Sequence, residues 1–314
     1  MNPIDIKVRS RTYDDYPDYY DHTPIAKGED HQILGFDGSG IVESVGSSVS
    51  NLSSGDEVYW SGSPIRQGSN AEYQLVASGS VAIKPKNLDF VQAACMPLTY
   101  ITAYEALVER LGIQKGEKAA VLIINGAGGV GSVASQIART VLELPVVITT
   151  ASRDETLDFS KGMGATHVIN HRKELQPQIK DLNLDVPIKY VFITHTTPMY
   201  LGPATEIVAP FGKITSIVQT KDFSQYGTPM MAKSLTFVWT LLGTKPWYGV
   251  DVESHGEILS ELRSLLESGK VKCHHTQTLA LDVQGLRKAH EVIEGGGSIG
   301  KVGLSAEVAE KAFA

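Results

Sequence analysis

The chain has 314 residues, of which 42% are hydrophobic and 20% are charged, which suggests roughly two ordinary folded domains at ~150 residues each. Its net charge of −7 argues against a nucleic-acid binder, and its two cysteines cannot form a disulfide scaffold or a four-cysteine zinc lobe. No apolar run approaches the ~20 residues that span a bilayer and the N-terminus lacks a signal-peptide core, so we expect a cytoplasmic protein with no membrane partner.

The first third of the chain predicts a β-rich domain. Short apolar runs at 40–45, 57–60 and 71–76 adjoin clusters of Gly, Ser, Asn or Asp, which are turn-forming residues. Strand-like runs at this spacing are typical of an antiparallel sandwich or a small barrel. We assign this domain to residues 1–92.

From residue 93 onward the chain predicts alternating helices and strands. Residues 92–111 carry apolar side chains at helical spacing, which Pro97 interrupts. Strand-like apolar runs follow at 118–124, 146–148, 168–169, 190–193 and 213–218. Helix-like stretches separate several of these runs, which is typical of βαβ units and a parallel sheet. We assign this α/β domain to residues 93–250, and residues 251–314 to a mixed tail. In the tail we expect helices at 258–268 and 283–294 and strands at 276–281 and 301–304.

A glycine-rich loop follows the first strand-like run of the α/β domain. It reads Asn125-Gly126-Ala127-Gly128-Gly129-Val130-Gly131 and precedes a helix-like stretch at 132–141. Its spacing fits G-x-G-x-x-G, in which the first glycine allows a tight turn, the second lets backbone approach a pyrophosphate, and the third lets the helix pack closely. The helix N-terminus then offers N–H groups to the phosphates. Because the strand and the helix are both present, the loop predicts a dinucleotide site.

The end of the second strand favours NADPH over NADH. An acidic residue there would bind the ribose of NAD, but this chain reads Thr149-Thr150-Ala151-Ser152-Arg153, with no carboxylate at the strand end. Ser152 can donate a hydrogen bond to a 2′-phosphate, and Arg153 can pair with it. The alternative is that Ser152 caps the next helix and Arg153 is solvated.

The order of these parts and several local motifs resemble the medium-chain dehydrogenase/reductase superfamily, in its zinc-type alcohol dehydrogenase-like branch near the quinone oxidoreductases. The matching motifs are Asn2-Pro3-Ile4-Asp5, Leu34-Gly35-Phe36-Asp37-Gly38-Ser39-Gly40-Ile41-Val42, Gly55-Asp56-Glu57-Val58, Pro97-Leu98-Thr99 and Thr102-Ala103-Tyr104-Glu105-Ala106-Leu107. The resemblance implies a Rossmann domain, a GroES-like catalytic domain that the C-terminal tail completes, and a homodimer. It also implies further strands before Asn2, so the catalytic domain is expected to be shortened at its N-terminus, by a truncated gene prediction, an alternative start or an incomplete chain.

The residues argue against the zinc ion of that family. Zinc alcohol dehydrogenases carry a Cys, a Gly-His-Glu segment and a second Cys where this chain has Asn2, Phe36-Asp37 and Leu98. A catalytic zinc needs three protein ligands, and none of these positions holds Cys or His. The adjacent pair His274-His275 would point to opposite faces of a strand. We therefore expect no metal.

Without a metal to polarise an alcohol or ketone, hydride transfer to a conjugated acceptor is favoured. The resemblance makes Asn2 the leading candidate for a hydrogen-bond donor to the developing oxyanion, with Lys7 and Tyr100 as weaker donors or acids. It assigns to Asp5 the orientation of neighbours or of the cofactor ribose. The alternative is that Asn2 and Asp5 form a turn pair.

Further cofactor contacts are expected beyond the carboxyl ends of the parallel strands, where ligands of such sheets bind. The resemblance places His171 near the adenine, whereas Thr194 and His195 are expected near the nicotinamide, with Val218 and Gln219 near the carboxamide. Thr102, on the helix before the sheet, is a further candidate. Three aromatic residues are candidates for the wall of a planar-substrate site, although core packing is their commoner use. They are Trp239, Trp247 and Tyr248.

The sequence thus predicts an α/β oxidoreductase that uses NADPH, without zinc, to reduce quinones or α,β-unsaturated carbonyls. Its partner would be a small electrophilic molecule rather than a nucleic acid. Two alternatives stay open. One is an enoyl reductase acting on thioester substrates, and the other is a non-catalytic NADPH-binding protein with a truncated catalytic domain.

Overall fold

The chain folds into two compact units, one of which is made of two separate stretches of the sequence. The computed structural model describes residues 1–12, 23–24, 27–222 and 224–307. The terminal unit consists of Met1–Ile101 together with Leu242–Ala314, and the sheet unit consists of Thr102–Leu241. The sequence placed these boundaries after residues 92 and 250.

The secondary structure follows the alternation expected from the sequence. The strands are β1 Asp37–Ile41, β2 Glu57–Ser61, β3 Val81–Ile83, β4 Ala120–Ile124, β5 Val146–Ala151, β6 His167–Asn170, β7 Ile188–Ile193, β8 Lys213–Ser216, β9 Thr236–Trp239, β10 His275–Ala280 and β11 Lys301–Ser305. The helices are α1 Pro3–Arg9, α2 Phe90–Ala94, α3 Pro97–Tyr104, α4 Gly129–Gln136, α5 Asp154–Gly162, α6 Leu175–Asp181, α7 Thr197–Ile207, α8 Thr228–Ala232, α9 Thr244–Tyr248, α10 Ser254–Glu267 and α11 Val283–Glu294. Helices α3 and α4 each continue as a short π-helix, at Glu105–Arg110 and Ile137–Val141.

The terminal unit contains two small sheets among the described residues. Strands β1, β2 and β3 form an antiparallel sheet, and β10 and β11 pair in parallel. The strand expected at 71–76 is wrong, because this stretch is irregular. Its large apolar side chains gain no burial, since Tyr73 is 75% exposed and Leu75 is 84% exposed. Apolar side chains that stay exposed lack the packing against neighbours that stabilises a strand in a sheet.

The sheet unit is a six-stranded parallel sheet in the order β6-β5-β4-β7-β8-β9. Every residue of the central strand β4 is buried, as a strand covered on both faces requires. Renumbered from the first strand of the unit, the order is 3-2-1-4-5-6, which is that of the doubly wound dinucleotide-binding fold. The predicted Rossmann sheet is therefore confirmed. Within the part of the chain that the structure describes, no helix is long and apolar enough to cross a membrane.

The turn from β4 into α4 is closed by a contact that only glycine allows. A Cβ atom on Gly131 would lie 2.1 Å from the carbonyl oxygen of Asn125, which is the first residue after β4. A Cβ atom on Gly126 would likewise lie 2.4 Å from Cβ of Thr149 on the neighbouring strand. Helix α4 therefore begins directly against the end of the sheet, as expected for the third glycine of the motif.

Replacing Gly131 by alanine tests this packing. Because the obstructing atom is backbone, we expect Gly131→Ala to lower the free energy of unfolding by about 1–3 kcal/mol or more. Gly162→Ala is the matched control, since Gly162 ends α5 and its added Cβ meets no atom within 4 Å. The control is expected to be neutral or to stabilise the protein by up to about 1 kcal/mol. Urea unfolding of both variants measures the difference, and equal stabilities would contradict the packing argument.

Candidate functional site

The glycine-rich loop is anchored to the neighbouring strand β5. The backbone N–H of Asn125 donates to Thr150 Oγ1 at 2.8 Å, and that of Gly126 donates to Thr150 O at 3.1 Å. Gly128 is extended at the N-cap of α4, where its carbonyl accepts from Ser132 N at 3.0 Å. The N–H groups of the first turn have no acceptor within the helix, so the loop presents donors suited to a phosphate group.

Except for Thr102 on α3, the other predicted cofactor residues meet at one edge of the parallel sheet. This edge is formed by the carboxyl ends of the strands. Their strands run in the same direction, so the residues that follow each strand lie side by side at its carboxyl end. The register places Ala151 beside Asn170 and Ile124 beside Ile193. Thr194 Oγ1 donates to Ile124 O at 2.6 Å, which ties the end of β7 to the end of β4. The residues at this edge are Gly126, Ala127, Gly128, Gly129, Val130, Gly131, Ser152, Arg153, His171, Thr194, His195 and Val218.

Basic residues follow β5, β6 and β7 at the carboxyl ends of these strands. Burial lowers the pKa of His171, and the nearby charges of Arg172, His195 and Arg153 lower it further. The sequence assigned His171 and His195 to opposite ends of the cofactor, and these assignments stay predictions. Arg153 after β5 and Arg172 after β6 are the side chains here that can pair with an anion.

Arg153 rather than Ser152 occupies the N-cap position of α5. Its backbone N–H donates to Thr156 Oγ1 at 3.1 Å, and its side chain, 41% exposed, pairs with Glu155 at 3.1 Å. The alternative in which Ser152 caps this helix is therefore wrong. Ser152 lies half-buried beside the strand end, where the sequence predicts a contact to the cofactor.

In the terminal unit, Asn2 belongs to a buried polar network. Its amide nitrogen Nδ2 donates to Asp37 Oδ2 at 2.6 Å, and its Oδ1 accepts from Lys301 Nζ at 2.5 Å. The ammonium of Lys301 also bonds to Met1 O at 2.6 Å and contacts Asp37 Oδ2 at 3.3 Å. The second oxygen of Asp37 accepts from Leu98 N at 2.7 Å. Four segments that are distant in sequence therefore meet at one carboxylate and one ammonium group.

Asp5 closes the first turn of α1. Its Oδ2 accepts from Asn2 N at 2.8 Å, and its Oδ1 accepts from Gly35 N at 2.9 Å. Burial of this fully enclosed side chain raises its pKa. The alternative reading of Asn2 and Asp5 as a turn pair thus describes their local structure, and a role of Asp5 toward the cofactor ribose stays a prediction.

The remaining sequence candidates lie on two helices. Lys7 is half-buried on α1, where burial lowers its pKa. Tyr100 and Thr102 are buried on α3. Their proposed contacts with substrate or cofactor stay predictions. Of the aromatic candidates, Trp247 and Tyr248 stack on α9 with ring centroids 5.5 Å apart, and Trp239 ends β9.

Comparison with known proteins identifies the family. A family model described as zinc-binding dehydrogenase matches residues 129–253, and a second, the alcohol dehydrogenase GroES-like domain, matches residues 1–86. The chain is 39% identical over 308 residues to a zinc-type alcohol dehydrogenase-like protein of Staphylococcus epidermidis, which covers 96% of this chain and 86% of the relative. The chain belongs to the medium-chain dehydrogenase/reductase superfamily. The predicted GroES-like domain is thereby confirmed, in addition to the Rossmann sheet.

Two further members of the superfamily bear on chemistry. The NADPH-dependent alkenal/one oxidoreductase of Arabidopsis thaliana chloroplasts is 34% identical over 278 residues, which is 87% of this chain and 61% of that protein. The quinone oxidoreductase of Escherichia coli, solved in complex with NADPH, has a TM-score of 0.78 and 25% identity, covering 97% of this chain and 88% of that one.

The residues of this superfamily member do not fit a zinc ion at the family's ligand positions. Phe36 stands at the histidine position and packs in a small apolar cluster with Ile4, Val8, Leu34, Leu98 and Trp247. Asn2 is bonded to Asp37, whose carboxylate is paired with Lys301. Among the residues the structure describes, no three His, Cys, Asp or Glu side chains form a group that could hold a metal.

The adjacent histidines likewise have separate partners. Nε2 of the buried His274 lies 2.8 Å from Cys95 O and 3.3 Å from Thr99 Oγ1. Nε2 of His275 lies 3.0 Å from Thr278 Oγ1. The two rings therefore serve different parts of the unit rather than one shared site.

Lys301 is the member of this buried network that sequence reasoning missed. The sequence placed it only at the start of a short strand, and a lysine there is ordinarily exposed. Its side chain is 4% exposed and bonded to atoms of Met1, Asn2 and Asp37. One signal in the sequence was Asp37, which stands next to the apolar Phe36. A carboxylate that is buried beside an apolar residue needs a partner, and this need predicts a buried cation.

Removing one charge of this pair tests its importance. Lys301→Met leaves the Asp37 carboxylate buried without a cation, so we expect the free energy of unfolding to fall by about 3–5 kcal/mol. The double variant Asp37→Asn with Lys301→Met removes both charges and should lose less. Lys189→Met is the control, because its pair with Glu117, at 2.9 Å, is partly exposed and is expected to contribute only about 0–1 kcal/mol. Urea unfolding measures all three, and a loss for Lys301→Met no larger than that of the control would contradict the argument.

Proposed function

We propose that this chain is an NADPH-dependent, zinc-independent oxidoreductase that reduces quinones or α,β-unsaturated carbonyl compounds by hydride transfer. One observation carries the proposal: the glycine-rich loop shares one edge of the sheet with Ser152 and Arg153, and no carboxylate stands at the end of β5. A carboxylate at that point would repel the 2′-phosphate that distinguishes NADPH from NADH.

The similar proteins support the choice of cofactor and acceptor. The E. coli quinone oxidoreductase was solved with NADPH bound, and the Arabidopsis relative is described as an NADPH-dependent alkenal/one oxidoreductase. Both acceptor classes contain a carbonyl conjugated to a carbon–carbon double bond. We therefore place this chain's substrate among small conjugated electrophiles and the reaction in the cytoplasm.

Bound NADPH would supply hydride to the electrophilic carbon of the conjugated system, while the electron pair moves onto the carbonyl oxygen. The chain's task is to stabilise that negative charge by hydrogen bonds and to allow its protonation. We propose Asn2 as a donor, because contacts with Asp37 and Lys301 fix the orientation of its amide and use one of its two Nδ2 hydrogens. Lys7 and Tyr100 are the proposed secondary donors.

Zinc independence rests on the donor set at the ligand positions. An amide, a phenylalanine and a leucine replace the thiolate and imidazole ligands that a catalytic zinc requires. An acceptor already activated by conjugation makes weaker demands on a Lewis acid than a simple alcohol or ketone. The proposed absence of zinc and the proposed choice of a conjugated acceptor therefore support each other.

Steady-state kinetics of the full chain test the proposal. We expect oxidation of NADPH in preference to NADH with 1,2-naphthoquinone and with a simple enone, in protein whose metal content is assayed on the same sample. Arg153→Gln should raise KM for NADPH by roughly tenfold, the equivalent of one charge-assisted contact, while KM for NADH stays unchanged. Lys161→Gln, at the opposite end of α5, is the matched control.

Three results would count against parts of the proposal. A preference for NADH would contradict the role of Ser152 and Arg153. Stoichiometric zinc in active protein would contradict the metal-free mechanism. An Asn2→Ala variant that folds and keeps full turnover would remove Asn2 from the reaction.

We further propose a homodimer formed through β9, the edge strand of the sheet unit. Thr236 and Trp239 on this strand are exposed, and the Phe237 ring makes edge contacts with Tyr226 and Trp239 at centroid distances of 6.2 and 4.8 Å. An edge strand that carries aromatic side chains is a template for pairing with a second copy.

A charge on this edge should separate the copies. We expect Trp239→Glu to shift the sedimentation coefficient from that of a dimer to that of a monomer at micromolar concentration. Met199→Glu, at an exposed position on α7, should leave the assembly unchanged. A wild-type chain that sediments as a monomer would contradict this part of the proposal.

A further inference from the structure

We propose that Thr150 and Thr194 are positioning residues for binding of the cofactor's diphosphate. Their hydroxyl groups hold the Ile124–Asn125 peptide group, from which the glycine-rich loop leaves the sheet. Neither threonine has to touch the cofactor in this role. The inference rests on the proposed binding of a nicotinamide dinucleotide, and it is independent of the choice between NADPH and NADH and of the acceptor that is reduced.

One peptide group at the end of β4 is bonded on both sides by threonine side chains. Its N–H, that of Asn125, donates to Thr150 Oγ1 at 2.8 Å, and its carbonyl oxygen, that of Ile124, accepts from Thr194 Oγ1 at 2.6 Å. Thr150 belongs to β5 and Thr194 directly follows β7, and these strands lie on opposite sides of β4 in the sheet. The peptide group is therefore held from both directions across the sheet.

The hydroxyl bonds lie where the regular pairing of β4 ends. The register of β4 with β5 runs as far as Ile123 and Thr149. The next residue of β5, Thr150, accepts from two successive backbone N–H groups, from Asn125 through its Oγ1 at 2.8 Å and from Gly126 through its carbonyl oxygen at 3.1 Å. Backbone polar groups that leave a buried strand need new partners, and side chains can supply them. The threonines thus extend the hold of the sheet into the loop.

Asn125 has a backbone conformation that needs such support. Its φ is +63°, in the left-handed region, which asparagine tolerates better than most residues other than glycine. A residue in this region stays there only when the surrounding structure holds it. The bonds to Thr150 and Thr194 fix the peptide group directly before its Cα atom. Without either hydroxyl, the start of the loop should sample other conformations.

The conformation of Asn125 in turn determines where the rest of the loop lies. Its carbonyl oxygen accepts from Gly128 N at 3.2 Å, and a Cβ atom on Gly131 would lie 2.1 Å from the same oxygen. Gly128 is the N-cap of α4, and Gly131 lies in its first turn. A different conformation at Asn125 would therefore displace the N–H groups that this turn offers to a phosphate.

The two hydroxyls should raise the affinity for cofactor by keeping the loop in its binding conformation. The apparent Kd of a ligand equals the intrinsic Kd divided by the fraction of molecules in the competent conformation. Removal of one neutral hydrogen bond should lower that fraction and weaken binding by roughly three- to tenfold. The loss should be the same for NADPH and NADH, because both contain the diphosphate. Turnover at saturating cofactor should change little, since the bound diphosphate restores the loop.

Isosteric variants of Thr150 in the full chain test the proposal. Thr150→Val removes the hydroxyl and keeps the shape of the side chain, and calorimetric titration should give a Kd raised by roughly three- to tenfold for NADPH and for NADH alike. Thr150→Ser keeps a hydroxyl and should recover most of the affinity. Urea unfolding of each variant establishes that it is folded under the conditions of the titration.

Thr149→Val is the matched control for these variants. Thr149 precedes Thr150 on β5 and is as fully buried, but among the residues that the structure describes its Oγ1 has no hydrogen-bond partner. The control removes the same chemical group from the same strand, so both Kd values should stay at the wild-type level.

ADP-ribose separates two possible roles of Thr194, because it contains the diphosphate and lacks the nicotinamide. The sequence predicted Thr194 near the nicotinamide. If its hydroxyl acts through the Ile124–Asn125 peptide group, Thr194→Val should weaken the binding of ADP-ribose and of NADH by the same factor. A loss for NADH with unchanged binding of ADP-ribose would overturn the positioning role of Thr194.

The outcomes separate this inference from the proposed function. Folded Thr150→Val with the same Kd values as Thr149→Val would overturn the role of Thr150 and leave the use of the cofactor standing. A wild-type chain that prefers NADH, with the expected loss in Thr150→Val, would overturn the choice of NADPH and support this inference. A wild-type chain that binds none of the three nucleotides would overturn both.

Discussion

The buried ammonium group of Lys301 holds together segments of the terminal unit that lie far apart in the chain. Its acceptors lie on residues 264 to 300 positions earlier in the chain, at the start of α1 and on β1. A buried cation is tolerated only when its hydrogen bonds are satisfied, so these acceptors must be in place together. The last described strand thereby fixes the position of the first helix. The terminal unit can be completed only when the C-terminal segment has returned.

This contact also defines what the proposed active residues can do. Lys301 and Asp37 hold opposite ends of the Asn2 amide, which prevents its oxygen and nitrogen from exchanging places. An amide held in one orientation is a better donor than one that rotates, because no ordering is needed during the reaction. The charges that stabilise the unit thus also position the group proposed to stabilise the oxyanion.

In the sheet unit the site arises from topology more than from unusual side chains. Parallel strands end together, the glycine-rich loop turns tightly onto α4, and the first turn of that helix offers backbone N–H groups suited to a phosphate. Side chains added at the strand ends then select the ligand. Arg153 follows β5 at that edge, where no carboxylate of the kind that favours NADH stands.

The description of the matching family and the residues at its ligand positions differ in this chain. The matching family model is described as a zinc-binding dehydrogenase, yet the ligand positions of this chain hold Asn2, Phe36 and Leu98. An apolar cluster and a hydrogen-bonded ion pair occupy the same part of the fold. Function therefore has to be argued from the residues at the site, since the fold is shared by members with different chemistry.

Local patterns in the sequence determined much of the architecture. The periodicity of apolar residues predicted the parallel sheet and the helix at 283–294, and the glycine spacing predicted the turn into α4, because these features depend on neighbours within a few residues. Residue identity alone showed that the zinc ligands are missing. The strand predicted at 71–76 was wrong, because apolar residues stand there at strand spacing but pack on no sheet.

Only the tertiary structure decided which groups meet. It paired Lys301 with Asp37, bonded the amide of Asn2 to both, and placed Arg153 at the cap of α5. These contacts join residues that are tens to hundreds of positions apart, and several strand ends contribute to one edge. A sequence states which charges exist, but their partners depend on where the chain returns, and that is set by the packing of the whole unit.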